Sequence, residues 1–180
     1  VAPALACGNT VILKPAEETP LTALLLGELA LEAGFPPGVL NVIPGRGQVT
    51  GQALVEHPGV DNISFTGSTE TGRIVMETAA RTLKKISLEL GGKSPHVVFA
   101  DADLEAAVRG VITGIFYGKG EVCAAGSRLF VEESIREEFL EKLAGRAVKT
   151  TIGDPLEATT RLGPLVSKAQ HERVLGYIES

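Results

Sequence analysis

The amino-acid sequence predicts an α/β fold built on a largely parallel sheet and divided into two parts. Three observations predict it. Short apolar runs of strand length alternate with amphipathic stretches of helix length over the first half of the chain. The pair Gly91-Gly92 then interrupts the alternation, and a second strand–helix series follows. No apolar run approaches the ~20 residues that span a bilayer, so the alternating runs are not expected to be membrane spans and no membrane partner is expected.

Each element has a local reason. Val11-Ile12-Leu13 follows Gly8-Asn9 as a short apolar run, which suits a buried strand. Thr19 precedes Pro20, so Thr19 is the expected N-cap with proline in the first helical position. Leu21, Leu24, Leu25, Ala30 and Leu31 keep helical spacing until Gly34 stops them. Residues 39–43 read as a second strand, Gly45-Arg46-Gly47 as a turn, and 48–56 as helix. Asn62 to Phe65 reads as a strand, and Ser68 opens a helix through Ala80. Residues 86–90 form another strand. Beyond Gly91-Gly92, His96 to Phe99 is a strand, and Asp101 or Asp103 caps a helix to about Phe116. A loop carries Cys123. Arg128 to Val131 is a strand, Ile135 to Val148 an amphipathic helix, Gly153-Asp154-Pro155 a loop, and a last helix starts near Ser167. The break places the two domains at 1–90 and 91–180.

Bulk composition narrows the function. A chain of 180 residues with 44% hydrophobic and 22% charged residues can bury a real core. The net charge is −5 and the basic residues form no stripe, which argues against nucleic acid as a partner. The cysteines, Cys7 and Cys123, lie far apart and make no disulfide framework, so a reducing, cytoplasmic setting is expected. His57, His96 and His171 are scattered, and no C-x-x-C or H-x-x-x-H pair exists, so no metal is expected. The chain opens without methionine into a helix–turn–strand pattern and stops within a helical one. It therefore reads as an internal piece whose targeting signals lie elsewhere.

Three segments can carry chemistry. Cys123 sits among small residues in Gly120-Glu121-Val122-Cys123-Ala124-Ala125-Gly126, which leaves a thiol reachable for attack on a carbonyl. A buried structural cysteine would fit the local pattern equally well. Glu89 ends an apolar strand at the glycine break, where clefts form and a partly desolvated carboxylate suits proton transfer. An ordinary solvated glutamate, or a partner of Lys84 or Lys85, would fit too. Phe65-Thr66-Gly67-Ser68 joins strand to helix, where free N–H groups suit a phosphate, although a plain Ser68 cap is the commoner use. Two near-motifs fail. Gly45 to Gly51 has one residue too many for G-x-G-x-x-G, and Gly92-Lys93-Ser94 lacks the leading glycine of a P-loop.

Taken in order, these segments resemble the aldehyde dehydrogenase superfamily. Thr10 to Glu17 is similar to its adenosine-ribose segment and Phe65-Thr66-Gly67-Ser68 to its phosphate turn. Leu88-Glu89-Leu90-Gly91-Gly92-Lys93-Ser94-Pro95 is similar to its glutamate signature, and Gly120 to Arg128 to its cysteine signature. The resemblance covers essentially the whole chain. It implies a Rossmann-like cofactor domain to about Leu90 and the start of an α/β catalytic domain after it. It implies NAD as cofactor, with NADP possible. Lys14 and Glu17 would hold the adenosine ribose, and Gly47 and Gly51 would let the backbone pass the adenine. Phe65, Gly67 and Ser68 would frame the pyrophosphate, and Leu90 would meet the nicotinamide end. Cys123 would be the nucleophile and Glu89 the base in oxidation of a small-molecule aldehyde to an acid through a thioester. The longer protein would be a dimer or tetramer.

Tyr117-Gly118-Lys119-Gly120 departs from the family's usual Phe-Asn-Gln-Gly. The resemblance also places an oxyanion-hole amide before Val1, and a nicotinamide-ribose glutamate and an oligomerisation strand after Ser180. The isolated piece is therefore expected to be a weak or inactive enzyme, and a poorly soluble one through its uncovered sheet edges. Two other readings stand beside this one: a non-catalytic nucleotide-binding or structural protein on the same fold, and a cysteine acyl transferase or amidase using His96.

Overall fold

The computed structural model describes residues 1–180, which form two compact units, Val1–Glu89 and Leu90–Ser180. The first unit runs α1 (Ala2–Ala6), β1 (Val11–Leu13), α2 (Leu21–Glu32), β2 (Leu40–Val42), α3 (Gln52–Glu56), β3 (Asn62–Gly67), α4 (Thr69–Ala80) and β4 (Lys85–Leu90), whose last residue opens the second. The second unit continues with β5 (Pro95–Val98), α5 (Leu104–Phe116), β6 (Arg128–Val131), α6 (Arg136–Ala147) and α7 (Lys168–Glu179).

The sheet is divided into three pairs rather than laid out as one: β1 with β2, β3 with β4, and β5 with β6. The first and last pairs are parallel, with Val11 opposite Leu40 and Pro95 opposite Arg128. Strands of three and four residues offer few ladder bonds, so each of these pairs closes locally across its own helix. Pro95 is tolerated as the first residue of its strand, where a missing N–H does least harm.

Three helices start where local chemistry directs. The Ser68, Asp103 and Ser167 side chains accept bonds from the N–H of Thr71, Ala106 and Gln170 at 3.1, 3.0 and 3.2 Å. One start differs from expectation. The N-cap of α2 is Pro20 and not Thr19, with Pro20 already in the helical region and no side-chain cap. The locked ring suits helical φ, and its carbonyl accepts from Leu24 at 3.1 Å. A second difference lies at 48–56, where a wider π-type turn over Gly47–Gly51 precedes α3. Such wide turns recur at functional sites.

Each unit has its own core. In the first, Val55, Val75 and Ala79 are buried against Ile63, Phe65, Ile86 and Leu88, so α3 and α4 pack onto one face of β3 and β4. Burial alternates along β4, which points Ile86, Leu88 and Leu90 inward and Lys85, Ser87 and Glu89 outward. In the second unit, Val98, Val108, Val111 and Phe139 form the core between β5, α5 and α6. Phe139 is fully buried, which contributes roughly 1.5–3 kcal/mol of transfer free energy. No helix is long and apolar enough to cross a membrane.

Candidate active site

The cysteine turn belongs to the second unit. α5 ends at Phe116, and Gly118, Lys119 and Gly120 follow with φ of 59°, 63° and 79°. Three consecutive left-handed residues reverse the chain sharply. Glycine adopts that region without strain, so the departure at position 118 keeps a residue suited to the backbone. Lys119 is the strained member. Its ammonium meets the Glu121 carboxylate at 3.3 Å, with both side chains largely covered. That pair braces the turn two residues before Cys123. Nothing in the local residue pattern signals it, because it depends on a backbone conformation unusual for lysine.

Beyond the reversal, Ala125 N–H donates to Val122 at 3.0 Å and Gly126 N–H to Gly114 of α5 at 3.0 Å. Arg128 Nε donates to the Lys93 carbonyl at 2.8 Å and ties the far end to the segment before β5. Cys123 is exposed at the crest. Its N–H makes none of the backbone bonds that hold the turn and stays available to a ligand oxygen. A cavity of about 180 Å³, lined by Thr113, Gly114, Tyr117, Val122, Ala124 and Ala125, opens beside it. An accessible thiol therefore adjoins a mostly apolar recess.

Glu89 stands on the outward face of β4 and is exposed. The carboxylate has no hydrogen-bonding partner within the chain, and its exposure leaves it in water and not partly desolvated as expected. Neither Lys84 nor Lys85 is its partner: Lys84 Nζ donates to the carbonyls of His57 and Val60.

The other candidates lie in the first unit and form two groups. In one, Lys14, Glu17, Gly47 and Gly51 meet across a long sequence gap. Gly47 N–H donates to Glu17 Oε1 at 2.7 Å, and Lys14 Nζ donates to the carbonyls of Pro15 and Gly45 at 2.7 and 3.0 Å. A Cβ on Gly51 would touch the Lys14 stem at 3.6 Å. Each charged group keeps hydrogen-bonding capacity: the second oxygen of Glu17 and a third N–H of Lys14. In the other, Phe65 and Gly67 end β3 and Ser68 caps α4. A Cβ on Gly67 would lie 2.5 Å from Phe65 Cζ, so the ring lies over bare backbone beside the helix N-terminus. Leu90 is half-buried at the end of β4. A larger concavity of about 470 Å³, lined by residues including Ile12, Leu24, Leu31 and Val42, holds none of these candidates.

The family model for the aldehyde dehydrogenase family matches residues 1–180. The chain is 56% identical over 180 residues to phenylacetaldehyde dehydrogenase of Pseudomonas fluorescens, covering all of this chain and 36% of that protein. It is 53% identical over 181 residues to retinal dehydrogenase 2 of Homo sapiens, covering all of this chain and 35% of that one. An aldehyde dehydrogenase of Bacillus cereus, solved as its NAD+ complex, superposes with a TM-score of 0.95 at 49% identity over 98% of this chain and 36% of that one. The chain thus spans little more than a third of the length of these relatives. With the match running from its first residue to its last, the chain belongs to the aldehyde dehydrogenase family.

Proposed function

We propose that the chain supplies the nucleophile, the general base and much of the dinucleotide site of an enzyme that oxidises an aldehyde to a carboxylic acid. Residues 1–90 bind the cofactor and 91–180 carry the thiol. The observation that carries this reading is the exposed Cys123 on a braced turn, with an unengaged N–H and an apolar recess at its side.

The first unit fits a nicotinamide dinucleotide. Lys14 and Glu17 have donor and acceptor capacity left for ribose hydroxyls, and the carboxylate would repel a 2′-phosphate, which favours NAD over NADP. The α4 N-terminus beside the bare Gly67 backbone suits the pyrophosphate. Bound NAD supplies the hydride acceptor.

The remaining chemistry belongs to this chain. Cys123, as thiolate, adds to the aldehyde carbon, and the oxyanion so formed accepts from the Cys123 N–H. Oxidation of that adduct leaves an acyl thioester on Sγ. Glu89 takes a proton from water, which attacks the thioester, releases the acid and restores the thiol. The complete protein is proposed to be a cytoplasmic homo-oligomer.

The test follows NADH absorbance on the complete protein with NAD and a panel of aldehydes, beside Cys123→Ala and Glu89→Gln. The expected result is turnover by the wild type, none by Cys123→Ala, and one burst of NADH and then arrest by Glu89→Gln. NAD binding with no turnover on any aldehyde would mean that the scaffold serves binding alone.

A further inference from the structure

β5 turns alternate side chains to one face, so His96 shares a side with Val98. Val98 is buried against Val108 and Val111 of α5. His96 is half-buried at the end of that face, where α5 carries Gly110 and Gly114, four residues apart and so on one stripe of the helix. Glycine inside a helix is destabilising relative to alanine, and here the imidazole uses the room. A Cβ on Gly114 would lie 3.5 Å from His96 Nδ1 and 3.7 Å from Cε1, and one on Gly110 4.0 Å from Cε1. From the opposite side a Cβ on Gly126 would lie 3.1 Å from Nδ1 and 3.3 Å from the His96 Cβ. Gly126 and Gly114 are themselves joined by the 3.0 Å backbone bond that ties the cysteine turn to α5. The ring therefore lies against both ends of that bond, three residues from the thiol.

We propose that His96 is a positioning residue for Cys123: its imidazole fills the slot between α5 and Gly126 and so sets where the turn presents the thiol. Its effect on turnover rests on the reading of Cys123 as nucleophile; its effect on thiol reactivity does not. If the slot is emptied, the turn can settle toward α5. If a methyl is added at Gly126, the turn is pushed away unless the ring gives way. The two changes press on the same space and should not add.

The test is iodoacetamide labelling of the complete protein, followed by peptide mass spectrometry. Cys7, exposed in the first unit, serves as internal reference. His96→Ala and Gly126→Ala are each expected to change the Cys123-to-Cys7 rate ratio by about threefold or more. His96→Gln, which keeps bulk in the slot, returns it toward wild type. The Gly126→Ala change shrinks when made on His96→Ala, because the methyl enters vacated space. Should His96→Ala fail to fold, Gly126→Ala and His96→Gln still decide: the first must shift the ratio and the second must not. A ratio within about 1.5-fold of wild type in every folded variant overturns the proposal, as does an equal Gly126→Ala effect in both backgrounds. In the aldehyde assay, His96→Ala should lower kcat and leave the Kd for NAD unchanged. A wild type that oxidises no aldehyde would remove the enzymatic reading, while the labelling ratios would still settle the role of His96.

Discussion

A Cβ on Gly92 would lie 2.9 Å from the carbonyl oxygen of Cys123, so the backbone of the glycine pair runs directly against the cysteine turn. The obstructing atom is main chain and cannot swing aside. Gly91 differs, since a Cβ there meets nothing within 4 Å. The two neighbours thus serve different ends, and only Gly92 is required by a close approach.

Gly92→Ala is expected to displace the turn, at about 1–3 kcal/mol of stability. It should also lower aldehyde oxidation by roughly tenfold or more, since small misplacements of a reacting group are costly. Gly91→Ala should change stability by no more than about 0.5 kcal/mol. Thermal unfolding and NADH production on the two variants check this. Equal effects would mean that the pair matters as a flexible link and not through contact with Cys123.

Gly67 and Phe65 make a second pair of the same kind, with the difference that a side chain obstructs. A methyl at Gly67 drives the Phe65 ring out of its place against α4 and β4. Gly67→Ala is expected to cost about 1–3 kcal/mol and to weaken NAD binding. Phe65→Leu made in that background should recover part of the stability, because the branched chain leaves room. Calorimetric titration with NAD and thermal unfolding read both effects; unaltered NAD affinity would remove Phe65 and Gly67 from the cofactor site.

The Glu105–Lys142 pair links the first turn of α5 to α6 at 2.8 Å. The hydrogen bond from Lys142, then its charge, hold the Glu105 carboxyl below its ordinary 4.5. The hydrogen bond to Glu105, then its charge, hold Lys142 above its ordinary 10.5. The carboxylate's contribution is complete above 4.5 and is lost as pH falls through the lower folded value. The ammonium's contribution is complete below 10.5 and is lost as pH rises through the higher folded value. The Tm difference between wild type and Glu105→Gln should therefore be level between these limits and shrink outside them. It should be small, because the pair is at the surface, and smaller still in high salt. A difference unchanged at acid pH would show that the pair contributes packing and not charge.

Much of the fold was legible because it is local. Ser68, Asp103 and Ser167 cap the helices they precede, and β6 spans the residues its apolar pattern marks. Where a start was misplaced, at Pro20 instead of Thr19, the misreading concerned one residue of a proline whose ring fits the cap as well as the first turn. The division of the sheet into pairs was not legible, since alternation reports which residues face a core and not which strand lies beside which. The exposure of Glu89 was hidden for the same reason: its position at a strand end could be read, but not what covers it.

By itself, the sequence determined the α/β class, the order of elements, and the caps of α4, α5 and α7. All of these follow from neighbours within a turn or two of chain. Tertiary structure alone decided that Gly47 would bind Glu17, that Gly92 would meet Cys123, and that His96 would lie against Gly126. Each joins residues far apart in the chain, brought together only when the apolar faces of the helices and strands of each unit pack. No local propensity encodes such approaches, because their geometry exists only once those faces have packed.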